Sequence, residues 1–85
     1  MTKHGIEVLA FIREFRTNHQ YGPTVREIAA AIGWASPSTA HAVLDTLEFE
    51  GLISQVHGIP RTIALTEKGV ETLEAKHGAA SGSFV

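Results

Sequence analysis

Apolar residues recur at spacings of three and four along the first part of the chain. Ile6, Leu9, Phe11, Ile12 and Phe15 fall on one side, and Arg13, Glu14 and Arg16 on others. That period predicts an amphipathic helix over residues 5–19. The helix should stop in Asn18-His19-Gln20-Tyr21-Gly22-Pro23, where Gly22 permits a positive φ and Pro23 cannot continue a helix. Thr24-Val25-Arg26-Glu27 is a capping-box pattern, in which the Thr hydroxyl accepts an orphan amide and Glu27 reaches back. A second helix is expected from about Val25 to Ile32, with Val25, Ile28, Ala29 and Ile32 inward and Gly33 as its stop. Ser36 then offers an N-cap, and Pro37 fits the first helical position, where a missing N–H is harmless. The third helix should run from Pro37 to about Glu50, with Ala40, Leu44 and Leu47 buried and Gly51 beyond its end.

After Gly51 the period changes. Residues 52–56 and 62–65 read as strands, joined by the turn-rich tip His57-Gly58-Ile59-Pro60-Arg61. Thr66-Glu67 opens a last helix through Val70 and Leu73, ending near His77-Gly78, and residues 79–85 read as a frayed tail. The fold class is therefore mainly α with a small β-hairpin. Its order is that of a winged helix-turn-helix: a three-helix core, a two-stranded wing and a C-terminal helix. One domain spans residues 1–78.

Composition narrows the function. Eighty-five residues suffice for a single domain with a modest core, and 44% hydrophobic with 19% charged residues is a globular balance. The chain has no cysteine, which excludes disulfides and thiolate metal sites and fits a reducing compartment. No apolar run has the length of a membrane span and the N-terminus is no signal peptide, so a cytoplasmic location is expected. Five histidines, at positions 4, 19, 41, 57 and 77, share no ligand spacing, so no metal is expected. No cofactor is expected either. There is no nucleophile motif, phosphate loop or paired carboxylate, and Glu48 and Glu50 point different ways on a helix. An enzyme is not expected. The net charge of −2 lacks the basic footprint usual for nucleic-acid binding.

One resemblance bears on this. Gly22-Pro23-Thr24-Val25-Arg26-Glu27-Ile28-Ala29, followed by Ile32-Gly33-Trp34-Ala35-Ser36-Pro37-Ser38, resembles the N-terminal DNA-binding domain of LexA-type repressors. The likeness covers roughly residues 5–65. It implies a recognition helix starting at Ser36 whose first turns meet base edges in the major groove. The matching outward positions are Ser36, Ser38, Thr39, His41 and Ala42. Hydroxyls read either base type, His41 can donate to guanine or phosphate, and the Thr39 methyl can meet a thymine methyl. On the wing, His57 lies on the same face and Arg61 is the candidate for a phosphate or minor-groove contact. Arg26, beside the exposed N–H groups of the second helix, can help hold a phosphate. Double-stranded DNA is the implied partner, bound by a homodimer on paired half-sites.

The departures from the family also count. Ala30, Ala31 and Ala35 occupy surface-prone positions, and Asp45, Glu48 and Glu50 make the third helix acidic. No Lys or Arg lies between Pro37 and Pro60, which removes much of the non-specific electrostatic attraction to DNA. No peptidase domain with a Ser–Lys dyad follows the wing in this sequence, so self-cleavage is not expected. Leu65-Thr66-Glu67-Lys68-Gly69 instead resembles the post-wing helix start of MarR-type regulators, where the next helix helps dimerise. Two functions follow. One is a sequence-specific DNA-binding transcriptional regulator of the repressor kind. The other is a protein-interaction module on the same fold, of a phage or plasmid accessory type, that binds a regulator or polymerase. Trp34 reads as a core plug closing the helix-helix turn. Phe49 either packs under the wing near Ile59 or stands exposed as an interaction residue. Val70 and Leu73 are either core or a dimer seam.

Overall fold

A computed structural model describes residues 3–75 of the chain. Its elements run α1 (Lys3–His19), α2 (Val25–Ile32), α3 (Pro37–Phe49), β1 (Ile53–Ser54), β2 (Ala64–Leu65) and α4 (Glu67–Leu73). The two strands pair antiparallel, with Ile53 opposite Leu65 and Ser54 opposite Ala64. This is the winged helix-turn-helix order. The expected end of the last helix near His77-Gly78 and the tail over residues 79–85 lie outside the described residues.

One apolar core joins all the elements. Val8, Leu9 and Ile12 of α1 meet Ile28 and Ala29 of α2, and Ala40, Leu44 and Leu47 of α3. Leu52, Ile53, Ile63 and Leu73 close it from the wing root and α4. Leu73 is therefore core, while Val70 is half-buried. Trp34 packs half-buried against the same core and meets the His4 ring edge-on, as a plug of the turn should. Among the described residues, no helix is long and apolar enough to cross a membrane.

Three local expectations are corrected. Helix α1 begins at Lys3, two residues before the expected start at Gly5, which is buried within its first turn. The residue that ends α1 in the left-handed region is Gln20 (φ 68), whose N–H donates to the Arg16 carbonyl at 2.7 Å. Gly22 does not have a positive φ; a Cβ there would overlap the Ile63 carbonyl oxygen, so its task is close approach of two backbones. The strands are also shorter than residues 52–56 and 62–65. Their flanks bond elsewhere: Leu52 N–H to the Leu47 carbonyl, Val56 N–H to the Thr62 hydroxyl, and the Ile63 carbonyl accepts from Arg16.

The hairpin is locked to α4 by a similar contact. Thr66 caps α4 through Gly69 N–H and also donates its hydroxyl to the Gly51 carbonyl at 2.6 Å. A Cβ on Gly69 would overlap the Leu52 carbonyl oxygen, which itself accepts the Thr66 N–H. Lys68 donates to the Glu50 carbonyl at 3.0 Å, serving an orphan acceptor at the end of α3.

Candidate nucleic-acid interface

The helix-turn-helix unit is built by caps. Thr24 Oγ1 accepts the Glu27 N–H at 3.1 Å and Glu27 Oε1 accepts the Thr24 N–H at 2.8 Å, the complete capping box. Gly33 (φ 93) ends α2, and its N–H and that of Trp34 both donate to the Ala29 carbonyl at 2.9 Å. That left-handed residue turns the chain sharply enough for α3 to start four residues later, at Pro37. Ser36 Oγ accepts the Ser38 N–H at 3.1 Å and Pro37 follows at the first helical position.

Because Ala40, Leu44 and Leu47 face inward, the other side of α3 is set by the helical period. Ser36, Ser38, Thr39, His41, Ala42 and Asp45 are all exposed. The proposed reading positions therefore share one exposed flank, with Ser36 also serving as the cap. This flank borders a groove of about 390 Å³ lined by Val25, His41, Leu44, Asp45 and residues 55–60 of the wing. His41 and His57 thus line the same groove from opposite sides. Ala30, Ala31 and Ala35 are exposed, as the departures from the family suggest. Arg26 is exposed in the first turn of α2 and makes no hydrogen bond or ion pair among the described residues.

The charged groups near the wing are less available. His57 Nε2 lies 2.9 Å from Glu48 Oε1, and Gln55 donates to the same oxygen at 3.3 Å. Glu48 thereby ties the wing to the far end of α3. Arg61, also left-handed (φ 65), folds its guanidinium back onto the body. Nη1 donates to Glu27 Oε1 at 3.1 Å and to the Gly22 carbonyl at 3.3 Å, and Nη2 to Glu27 Oε2 at 3.4 Å. Its Cζ lies 4.8 Å from the Tyr21 ring centre, within cation–π range. The Glu27 carboxyl is held below its ordinary value. The Thr24 amide that donates to it is the main cause, and the Arg61 hydrogen bond and charge add to it against the opposing effect of burial.

Tyr21 and Glu27 are the residues that sequence reasoning left out of the interface. Glu27 was legible as a cap but not as the partner of Arg61, since an ion pair 34 residues apart leaves no periodic trace. Phe49 is 92% exposed and does not pack under the wing, and Ile59 is also exposed. No group of three or more metal-ligating side chains occurs among the described residues.

Comparison with known proteins points the same way. Residues 1–62 match the profile of the LexA DNA binding domain. The LexA repressor of Oenococcus oeni is 46% identical over 66 residues, covering 78% of this chain and 31% of that protein. The LexA repressor of Lactobacillus johnsonii is 42% identical over 71 residues, covering 84% and 34%. This chain thus spans about a third of the length of the curated relatives it matches. Among solved structures, S. aureus MepR bound to ethidium bromide superposes with a TM-score of 0.80 at 22% identity, over 98% of this chain and 59% of that one. The M. tuberculosis transcriptional regulator MosR gives 0.76 at 28% identity, over 98% and 58%. The MepR match bears on the fold alone, and the fold is the winged helix of these regulators.

Proposed function

This chain belongs to the LexA DNA-binding domain family, and from that premise we propose that it is a non-enzymatic, sequence-specific DNA-binding regulator of the repressor kind. The observation that carries this reading is the exposed polar flank of α3, capped at Ser36 and bordered by the wing groove. Ser38, Thr39, His41 and Ala42 enter the major groove and contact base edges. Hydroxyls and one imidazole give modest, permissive readout, each contact contributing about 1 kcal/mol. Arg26, exposed in the first turn of α2, takes a phosphate through its own charge. With no Lys or Arg on α3, one domain binds weakly. Two copies on a paired site supply the missing affinity, so the regulator acts as a homodimer in the cytoplasm.

The test is selection from a random-sequence duplex pool at low salt, followed by native mass measurement. The expected result is one enriched sequence class with two half-sites and two chains per duplex. Thr39→Ala and His41→Ala each weaken binding to that duplex about fivefold and relax its sequence preference. Arg26→Ala weakens all duplexes alike and lowers the salt slope by about one. A pool from which nothing is enriched would overturn the reading.

A further inference from the structure

We propose that Arg61 is a positioning residue, which with Glu27 latches the wing onto the N-terminus of α2 and so sets the angle between wing and recognition helix. This rests on the DNA-binding reading above and gives Arg61 a different task from the phosphate contact that its place in the wing suggests.

The side-chain contacts of Arg61 converge on one short segment. Its two terminal nitrogens reach both carboxylate oxygens of Glu27 and the Gly22 carbonyl, and its carbon sits over Tyr21. Its main-chain carbonyl also accepts the Gly22 N–H at 3.1 Å. Side chain and backbone of one wing residue are thus fastened to residues 21–27. A planar guanidinium matches a carboxylate through two parallel bonds in a way that a lysine cannot.

Two features argue that this is a built contact rather than a passing surface pair. First, Arg61 holds a left-handed backbone (φ 65), a conformation uncommon for a residue with a side chain. Second, Glu27 Oε1 accepts from Thr24 N–H and from Arg61 together. The carboxylate that closes the capping box is therefore the one that receives the wing. The position of α2 and the position of the wing are set by the same atom.

The latch also changes the electrostatics of DNA binding. A phosphate that captured Arg61 would have to displace Glu27 and leave its negative charge facing the duplex. The paired side chains instead present no net charge. The wing tip, with His57 and Ile59, is carried to the groove beside His41 at a fixed angle. Where release of the latch leaves the wing in place one tenth of the time, apparent affinity falls about tenfold with no lost contact.

The experiment uses the full 85-residue chain and the duplex that the wild type enriches from a random pool. Glu27→Gln is the informative variant, because Gln still accepts the Thr24 N–H and keeps the capping box. The latch predicts that E27Q binds about tenfold more weakly, although it removes a negative charge, with an unchanged salt slope. Arg61→Ala behaves alike, Arg61→Lys does not rescue it, and E27Q adds nothing to R61A. In free protein, amide exchange at Val56 and Ile59 of the wing quickens in E27Q while that of Leu44 in the core does not. The proposal is overturned if E27Q binds equally or more tightly. It is equally overturned if R61A lowers the salt slope by about 0.9 and R61K restores it, the behaviour of a phosphate ligand. If the wild type enriches no duplex, the DNA-binding reading fails by itself. The exchange measurement then still decides the latch, and unaltered exchange at Val56 and Ile59 overturns it.

Discussion

Helices α2 and α3 start with the same device and end up with different surfaces. Each has a hydroxyl N-cap in an extended conformation, Thr24 in one and Ser36 in the other. At α2 the positive end of the helix is already answered from within by the Glu27 carboxylate, which also holds Arg61. At α3 there is no acidic residue in the first turn, and the cap and its neighbours are exposed. A helix N-terminus attracts negative charge through its unpaired N–H groups and its dipole. Filling that demand internally makes α2 a fixed strut. Leaving it unfilled keeps the start of α3 free of competing negative charge. The contrast arises from a single position, three residues past each cap: Glu27 in α2 and Thr39 in α3.

The contrast can be broken hardest at Gly22. This residue brings the chain ahead of α2 against the wing, and a Cβ there would overlap the Ile63 carbonyl oxygen. Backbone, unlike a side-chain end, cannot swing aside. Gly22→Ala should therefore lower stability by about 1–3 kcal/mol, the range for overpacking, with a matching fall in Tm by thermal denaturation. An equal Tm would mean that the segment before α2 floats freely from the wing. The two caps give the next effect. Thr24→Ala leaves the Glu27 N–H unpaired at a half-buried site and should cost about 1–2 kcal/mol in denaturant titration. Ser36→Ala frees an exposed N–H that water can take up, at about 0.5 kcal/mol. Equal losses at the two caps would erase the distinction between the two helix starts.

Much of this layout is legible in the amino-acid sequence. Caps and stops carry their own chemistry, so Thr24-x-x-Glu27, Gly33 and Ser36-Pro37 locate α2 and α3 correctly. The buried stripe Ala40, Leu44 and Leu47 follows from periodicity alone. The exposed flank of α3 follows in turn, as the complement of that stripe. What does not show is everything made between distant segments. Gly22 reads as a turn residue because its partner, the Ile63 backbone, lies far along the chain. Residues 52–56 have strand-like composition, but the N–H groups at the two ends, of Leu52 and Val56, go to Leu47 and the Thr62 side chain. Arg61 reads as an outward cation because it stands at a wing tip, and nothing local announces that Glu27 and Tyr21 will claim it.

The smallest effect is also the most selective, because only one of the two helix starts titrates. The Glu27 carboxyl lies below its ordinary value of about 4.5 when folded. Its charged form is favoured in the folded state, so it contributes stability that is fully present above the ordinary value. As pH falls from there through the lowered folded value, the carboxylate takes up a proton and that contribution disappears. Glu27→Gln carries the uncharged form at every pH. Wild type should therefore melt slightly above E27Q at pH 7, and the two curves should converge as pH drops below the ordinary carboxyl range. Glu27 and Arg61 are more than a third exposed, so added salt should narrow the gap at pH 7 without closing it, since the Thr24 amide bond is short-ranged. Ser36 has no titrating group at its helix start, and a Ser36→Ala difference should stay constant across the same pH series. A Glu27 gap that persisted unchanged in acid would show that the carboxylate charge is not what holds the start of α2.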